Sequence, residues 1–565
     1  MNNELNAGNN KELLRLVRLL EQQWDNHLDK INRAQNELER EALVSKGMLS
    51  MTTALYCCPS SRYYRDDQML AWVLTACDCL LADQLESGCI SLANCNIDSP
   101  PDTAFQVHGT TLAYAVMKDS GIEQLVEAKG KLELFFQRVK PCLLTGGIHT
   151  PNHRWVMCGA LANLYELFPD EALKERAFQF FSEELDITPY GEWTERSNAM
   201  YNSALAIHLI DAAEVFEHQP AWDAVRSNLL MMRYMFHPDD TIATEYSGRQ
   251  DLGQQAKMND WYYTALHLMA NKEKSEELLA LARYAEQTAA AGSHALMYWM
   301  LKPERMALPD DCDAQMPKAY TVFLGEGNET QVPAHIPYLG KLVQHPHGAP
   351  LVRHRQGDLS ITLMSGQQDV LYVQYKRARM VGYRLGLGWF GIGSAAFPSI
   401  KQLNKDTYRL EISLEGCYFE PLPLDKTTGL AGSYVKMPNH ERGKTHQSQL
   451  DIALEVKLLE NGADLTVISQ AVPNILVQHI FQFLPESEFA GDGIRPSGHP
   501  LVSWLTEGTA CIEQEGGCIT IGPGGHRHLE VVPRNDRMNH ELKRLVINCK
   551  TPLSDTISIR CFDRT

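Results

Sequence analysis

Residues 303–318 read PERMALPDDCDAQMPK, with three Pro and four acidic residues and no period, which is the composition of a linker between two elements of structure. Before this stretch, apolar residues recur at i, i+3, i+4 and i+7; after it they recur at every second position. The spacing predicts helices over Leu13–Val44, Asp67–Leu85, Thr103–Met117, Ile122–Val139, Trp155–Leu167, Glu171–Leu185, Ala199–Phe216, Ala221–Met235, Asn259–Ala270, Lys274–Ala289 and His294–Leu301. Helical hairpins without a fixed repeat of about 34 to 47 residues fit a closed ring better than a solenoid. Beyond the linker, Leu359–Met364, Asp369–Tyr375, Leu450–Val456 and Ala463–Ile468 alternate as strands, the last two joined through Glu460-Asn461-Gly462 as a hairpin. A second hairpin runs from Thr509–Gln514 through Glu515-Gly516-Gly517 to Cys518–Ile521. The expected architecture is an N-terminal α/α toroid (1–302), a linker (303–318) and a C-terminal antiparallel β-sandwich (319–565).

The chain has 565 residues, 52 Lys plus Arg against 70 Asp plus Glu, a net charge of −18 and 44% hydrophobic residues. That balance disfavours nucleic acid and anionic membrane as partners, and no apolar run reaches the length of a membrane span. The start, MNNELNAGNNKELLRL, lacks a basic region followed by an apolar one, so a cytoplasmic location is expected. Fourteen Cys show no repeating spacing, Cys57-Cys58 is not a Cys-x-x-Cys motif, and no Cys/His set has zinc-finger spacing. Most Cys therefore read as free thiols in a reducing compartment. No cofactor and no metal is expected, although His345-x-His347 and His526-x-His528 each have the spacing to put two imidazoles on one side of a strand.

Two loops that open helices concentrate reactive groups. Thr150-Pro-Asn152-His153-Arg154 hands an amide, an imidazole and a guanidinium to a helix N-terminus, a place suited to a carboxylate. The plainer reading makes Asn152 an N-cap and Arg154 a surface charge. Asp186 to Asn202 offers Tyr190, Glu192, Glu195, Arg196 and Tyr201, with Ser197 or Asn198 as N-cap. These are the side chains that bind or react with sugars; a solvated capping loop is the alternative.

The two-domain order and these loops resemble the heparinase II/III and exo-type alginate lyase group. Its members carry an Asn-His pair in one toroid loop and, roughly fifty residues later, an acidic-x-Ser loop leading to a catalytic Tyr. Asn152-His153 and Tyr201 look like that pair and that Tyr. Ser197 precedes Tyr201 by four residues where the pattern has three, and Asn202 stands where a His is common, which keeps Tyr190 in reserve. The resemblance implies β-elimination next to a uronic acid, with Asn152 and His153 neutralising the uronate carboxylate and Tyr201 moving the C5 proton. Arg154 and Arg196 would add charge, and Glu192, Tyr246 and Arg249 would contact substrate. A sandwich-domain His is common beside the cleft, and His354, within Arg353-His354-Arg355, is the best match; an exposed strand edge is the alternative.

The expected partner is a uronate-containing oligosaccharide, and the chain is compatible with a homo-oligomer. Two other readings stand beside the lyase. A glycoside hydrolase would use two carboxylates from Glu192, Glu195, Asp102 and Asp251. A non-catalytic carbohydrate-binding protein would need neither. Asp102, ahead of His108, reads first as the N-cap of its helix.

Overall fold

A computed structural model describes residues 7–309, 314–326, 350–427, 432–470, 472–534, 536 and 541–563. Contacts divide them into two units: residues up to 317 other than 237–239, and residues 237–239 with those from 318 on.

The first unit holds fourteen α-helices: α1 (Ala7–Arg33), α2 (Glu37–Leu43), α3 (Leu49–Cys57), α4 (Asp67–Ala82), α5 (Pro100–Asp119), α6 (Val126–Thr145), α7 (Pro151–Leu167), α8 (Glu171–Phe181), α9 (Tyr201–Val215), α10 (Gln219–Met232), α11 (Asp260–Glu273), α12 (Glu276–Thr288), α13 (Ser293–Leu301) and α14 (Pro303–Met306). Helix α3 packs on α5, α5 on α7, α7 on α9, α9 on α11, α11 on α13, and α13 returns to α3 and α5, so six helices form a closed ring. Helices α4, α6, α8, α10 and α12 pack outside it, each against a ring neighbour.

The ring helices are buried nearly all round, which explains the one the sequence pattern missed. In α3, LSMTTALYC, seven of nine residues are buried, and a helix with no polar face shows no 3.6-residue stripe. The long helix expected over Leu13–Val44 is instead two, broken at 34–36, where the Asn36 side chain caps α2 by accepting the Glu39 N–H at 2.9 Å. A short hairpin, Ile90–Leu92 with Asn96–Ser99, interrupts the helices unannounced. Cys89, just before it, is joined by a disulfide to Cys142 of α6. Cys89 and Cys142 thus depart from the reading of most Cys as free thiols; eleven other described Cys are free.

The second unit is two stacked sheets of eight and ten strands. Both expected hairpins are present, Leu459 pairing with Gly462 and Gln514 with Gly517. The sheets are antiparallel except where Val502–Leu505 runs parallel to Lys543–Lys550. Leu454, Val456 and Leu465 of one sheet and Ile361, Leu385 and Phe481 of the other meet in a single apolar core. Arg353, for which an exposed strand edge was the alternative reading, is fully buried and donates to the hydroxyls of Ser360 and Thr362. No described helix is long and apolar enough to cross a membrane.

Candidate active site

The N-terminal halves of ring helices α5, α7, α9, α11 and α13 carry the candidate side chains. Phe105 and His108 come from α5, Asn152 and His153 from α7, Tyr201 from α9, Trp261 from α11 and His294 from α13. Their rings touch: Phe105 stacks on Trp261 at 6.2 Å and meets His153 edge-on at 6.5 Å, while His108 stacks on His294 at 5.2 Å. Most of these starts are already capped: Asp260 accepts the N–H groups of Gly292, His294 and Ala295 at α13, Ser99 caps α5 and Asn259 caps α11, whereas the N-cap of α7 makes no side-chain hydrogen bond, so the start of α7 is the one that favours an anion. A cavity of about 440 Å³ lies beside it, between residues 95–101 and Gly147–His149. A larger one, about 670 Å³, sits among Glu214, Trp222, Lys272 and Arg305 and contains none of the candidate residues.

Pro151 opens α7 after Thr150, the N-cap, so Asn152 is not the cap that the plain reading made it. Asn152 is fully buried; its Nδ2 donates to Thr150 Oγ1 at 3.1 Å, and its Oδ1 has no partner. His153 is buried beside it, with His149 packed edge-on at 4.7 Å. Burial, with help from His149 and the Arg249 charge, pushes the His153 pKa down to about 3, so at neutral pH the ring is an uncharged donor and acceptor.

Arg249 is the hub. One guanidinium nitrogen pairs with Glu195, another donates to Tyr201 Oη at 3.3 Å, and the group lies 4.5 Å over the Tyr201 ring. Gln250 Nε2 also reaches Tyr201 Oη, at 3.4 Å. Glu195 is 3% exposed, and burial raises its pKa to about 7 although Arg249 and Asn152 both act to lower it.

Loop geometry holds these groups in place. The fully buried Asp251 accepts the Ser197 and Ser247 hydroxyls at 2.9 and 2.5 Å and the Ala199 N–H at 3.0 Å, tying the loop before α9 to the loop before α11. Asn198 donates to Tyr246 Oη at 2.7 Å and to the Ala243 carbonyl at 3.0 Å. Gly248 passes so close that a Cβ there would stand 2.8 Å from the Glu195 carbonyl oxygen. Helix α9 starts at Tyr201, later than either expected cap, with Ser197 Oγ accepting the Tyr201 N–H at 3.2 Å. Asp102 is not an N-cap either: Ser99 caps α5, and Asp102 accepts from Ser99 and from Asn96 Nδ2 at 2.7 Å.

Asn152, His153, Tyr201 and Arg249 are thus brought together. The other expected contacts are engaged elsewhere. Arg154 pairs with Asp186 at 2.7 Å and lies 4.4 Å over Trp155. Glu192 is buried and accepts the Tyr190 hydroxyl at 2.8 Å, which also occupies the reserve tyrosine. Tyr246 is buried against Asn198, and Arg196 is buried with a positive φ of 51°. His354 belongs to the second unit, on strand Leu351–Gln356, where its ring shares a hydrogen bond of 2.8 Å with Thr321 Oγ1. His345 and His347 lie outside the described residues, and His528 Nε2 faces the Val477 carbonyl at 3.1 Å. Glu195 entered the sequence reading as one of the sugar-binding groups of its loop and as a hydrolase carboxylate, Asp251 as a hydrolase carboxylate, and Phe105, Trp261 and His294 were not singled out as site residues. What marks the aromatic pair in the sequence is position alone: each stands in the first turns of a ring helix.

No family model matches the sequence, and no curated protein matches it. Among solved structures the chain is similar to polysaccharide lyases. The chondroitin AC lyase of Streptomyces coelicolor A3 shares 11% identity over 98% of this chain and 79% of its own, with a TM-score of 0.49. A mutant heparan sulfate lyase of Pedobacter heparinus shares 10% identity over 94% of this chain and 78% of its own, also with a TM-score of 0.49. A β-L-arabinofuranosidase of Geobacillus stearothermophilus T6 matches at 9% identity over 97% of this chain and 95% of its own, with a TM-score of 0.32. At these identities and scores the likeness assigns no chemistry, which rests on the residues themselves.

Proposed function

We propose that the protein is a polysaccharide or oligosaccharide lyase of the toroid-and-sandwich kind, cleaving next to a uronic acid by β-elimination. The observation that carries this reading is Arg249, which faces the phenol oxygen of Tyr201 beside the Asn152-His153 helix start. Removing a proton α to a carboxylate builds negative charge on that carboxylate, so the site must hold it with donors already in place. Asn152, neutral His153 and the start of α7 would do so. Tyr201, entering as its phenolate, takes the C5 proton and passes it to the leaving glycosidic oxygen as the C4–O bond breaks and the C4=C5 double bond forms, which restores the phenolate. Arg249 faces the negative charge that the phenolate oxygen carries before the first transfer and again after the second. Phe105 and Trp261 offer an apolar wall for a sugar ring.

The state of the carboxylates weighs against a hydrolase. Glu192, Glu195 and Asp251 are each at most 3% exposed, and Asp251 already accepts three hydrogen bonds, which leaves little room for a water between an acid and a base. The test is an ultraviolet time course on a panel of uronate-containing oligosaccharides, since only elimination leaves a conjugated, absorbing product. Tyr201→Phe should lower the rate by about 10² to 10⁴ while the fold persists, because the lost hydroxyl makes only the long bonds of 3.3 and 3.4 Å. Reducing ends without absorbance would give the hydrolase reading the advantage.

A further inference from the structure

The eight-stranded sheet carries a cluster that the proposed reaction does not use. Strand Ala510–Gln514 turns back into Gly517–Gly522 with Glu513 directly opposite Cys518. Residues two apart on a strand share a face, so Cys511 joins Glu513 and Cys518 on one side of the hairpin. A thiol, a carboxylate and a second thiol lie there with donor atoms all within 4.8 Å of one another. No other group of three His, Cys, Asp or Glu among the described residues does so.

Access to the three donors is graded. Cys518 is buried, Cys511 half-buried and Glu513 exposed. Cys518 is held from both sides, by Ala510–Gln514 and by Leu553–Asp563, whereas the strand that carries Cys511 and Glu513 has only the two-residue strand Phe489–Ala490 on its other edge. The donors therefore stand on a fixed backbone with one side open to solvent. Tetrahedral zinc with bonds of about 2.3 Å to sulfur sets two sulfurs roughly 3.8 Å apart, so a small rotamer change closes the set. The two thiols already contact each other, and a bound cation takes both as thiolates.

We propose that Cys511, Glu513 and Cys518 form a binding site for a thiophilic divalent cation of the zinc type, held by two thiolates and one carboxylate with a fourth position open to solvent. Binding one cation releases two thiol protons and forms two metal–sulfur bonds, with no oxidation. The cation ties the edge strand to the sheet interior.

The experiment uses the full chain under argon, its Cys89–Cys142 disulfide intact, with cadmium ion as the probe. Cadmium–thiolate absorbance should saturate at one equivalent, and iodoacetamide labelling of Cys511, read by peptide mass spectrometry, should slow at least about tenfold at that point. Cys511→Ser, at a half-buried position, should abolish the saturating absorbance while circular dichroism stays that of the parent. Glu513→Gln should weaken binding by about tenfold. The proposal is overturned if Cys511 labels equally fast with and without cadmium. Absorbance that survives in Cys511→Ser would also overturn it, by placing the metal on other thiols. So would recovery of Cys511 and Cys518 as a disulfide that leaves no metal-binding thiols.

Discussion

Arg249→Met tests whether Glu195 is a buried acid held by Arg249. The folded pKa of Glu195, about 7, is raised above the ordinary 4.5, so the folded protein keeps a proton that the unfolded chain has lost between those two values. Stability from this group is fully present below 4.5 and is lost as pH rises through 7, at about 1.4 kcal/mol per pH unit, roughly 3 kcal/mol in all. Above 7 the parent's curve is flat with respect to this group. Arg249 is the largest influence opposing burial at Glu195, so its removal moves the folded pKa higher and extends the falling segment.

Between pH 6 and pH 9 the stability gap between parent and Arg249→Met should therefore widen by up to about 3 kcal/mol. Loss of the contact over the Tyr201 ring adds a pH-independent offset of about 1 kcal/mol. Urea unfolding at several pH values, followed by tryptophan fluorescence, measures the gap; Trp155 and Trp193 are buried in the helical unit and report on it. In an Arg249→Met, Glu195→Gln double variant the widening should vanish. A gap that stays constant from pH 6 to 9 in the single variant would refute the coupling of the two groups.

Other perturbations follow from the same structure. Burial lowers His153 and His208 to about 3 and His479 to about 4, all below the usual 6.5, so their stability is present above 6.5 and lost as pH falls below it. At pH 5 each costs about 2 kcal/mol, with Glu195 offsetting about one of them, and His208→Gln should flatten the acid limb of a stability profile measured by urea melts. Replacing both Cys89 and Cys142 with Ser should cost about 4 kcal/mol, given the 53-residue separation, and lower the melting temperature measured without reductant; a parent whose intact mass shows all thiols free would contradict this. Asp251→Ala leaves two hydroxyls and an N–H without their acceptor and frees the loop that carries Arg249, so kcat should fall by about 10² with KM little changed. An unchanged kcat would show that the tie between the loops does not set the geometry.

The helix and strand character of the chain was legible because most elements have one wet and one dry face. Helix α8 shows the stripe, and so does the strand Gly462–Ser469, whose burial alternates along its length. Legibility fails where burial is complete in a helix, since α3 has no polar face to set a period; Leu359–Met364 was legible as a strand by its alternation, although Ser360 and Thr362 face the interior and mark no wet side. Those two hydroxyls accept from Arg353 inside the unit. In the site, Asn152, His153 and Tyr201 could be picked out by their places at helix starts. Glu195 could not be ranked above Glu192, because the two differ only in which one a distant arginine reaches. The Glu195 to Arg249 pairing spans 54 positions and depends on Asp251 folding one loop onto another. The disulfide was illegible for the same reason, since Cys spacing carries no pairing information when fourteen are scattered.

The charge arrangement departs from the simplest form of the elimination scheme. With His153 uncharged, Asn152 and His153 can hydrogen-bond a uronate but cannot neutralise it. The cation nearest the phenol of Tyr201 is Arg249, and it already answers to Glu195. When Glu195 is protonated, the Arg249 charge is uncompensated and available to an anionic substrate; when Glu195 is ionised, the pair is neutral and Arg249 serves mainly to orient Tyr201. In the proposed elimination, a carboxylate poised near 7 would divide one guanidinium between two tasks, holding the substrate's charge and facing the phenol. The start of α7, whose N-cap makes no side-chain hydrogen bond, would supply the part of the positive potential that no titration can remove.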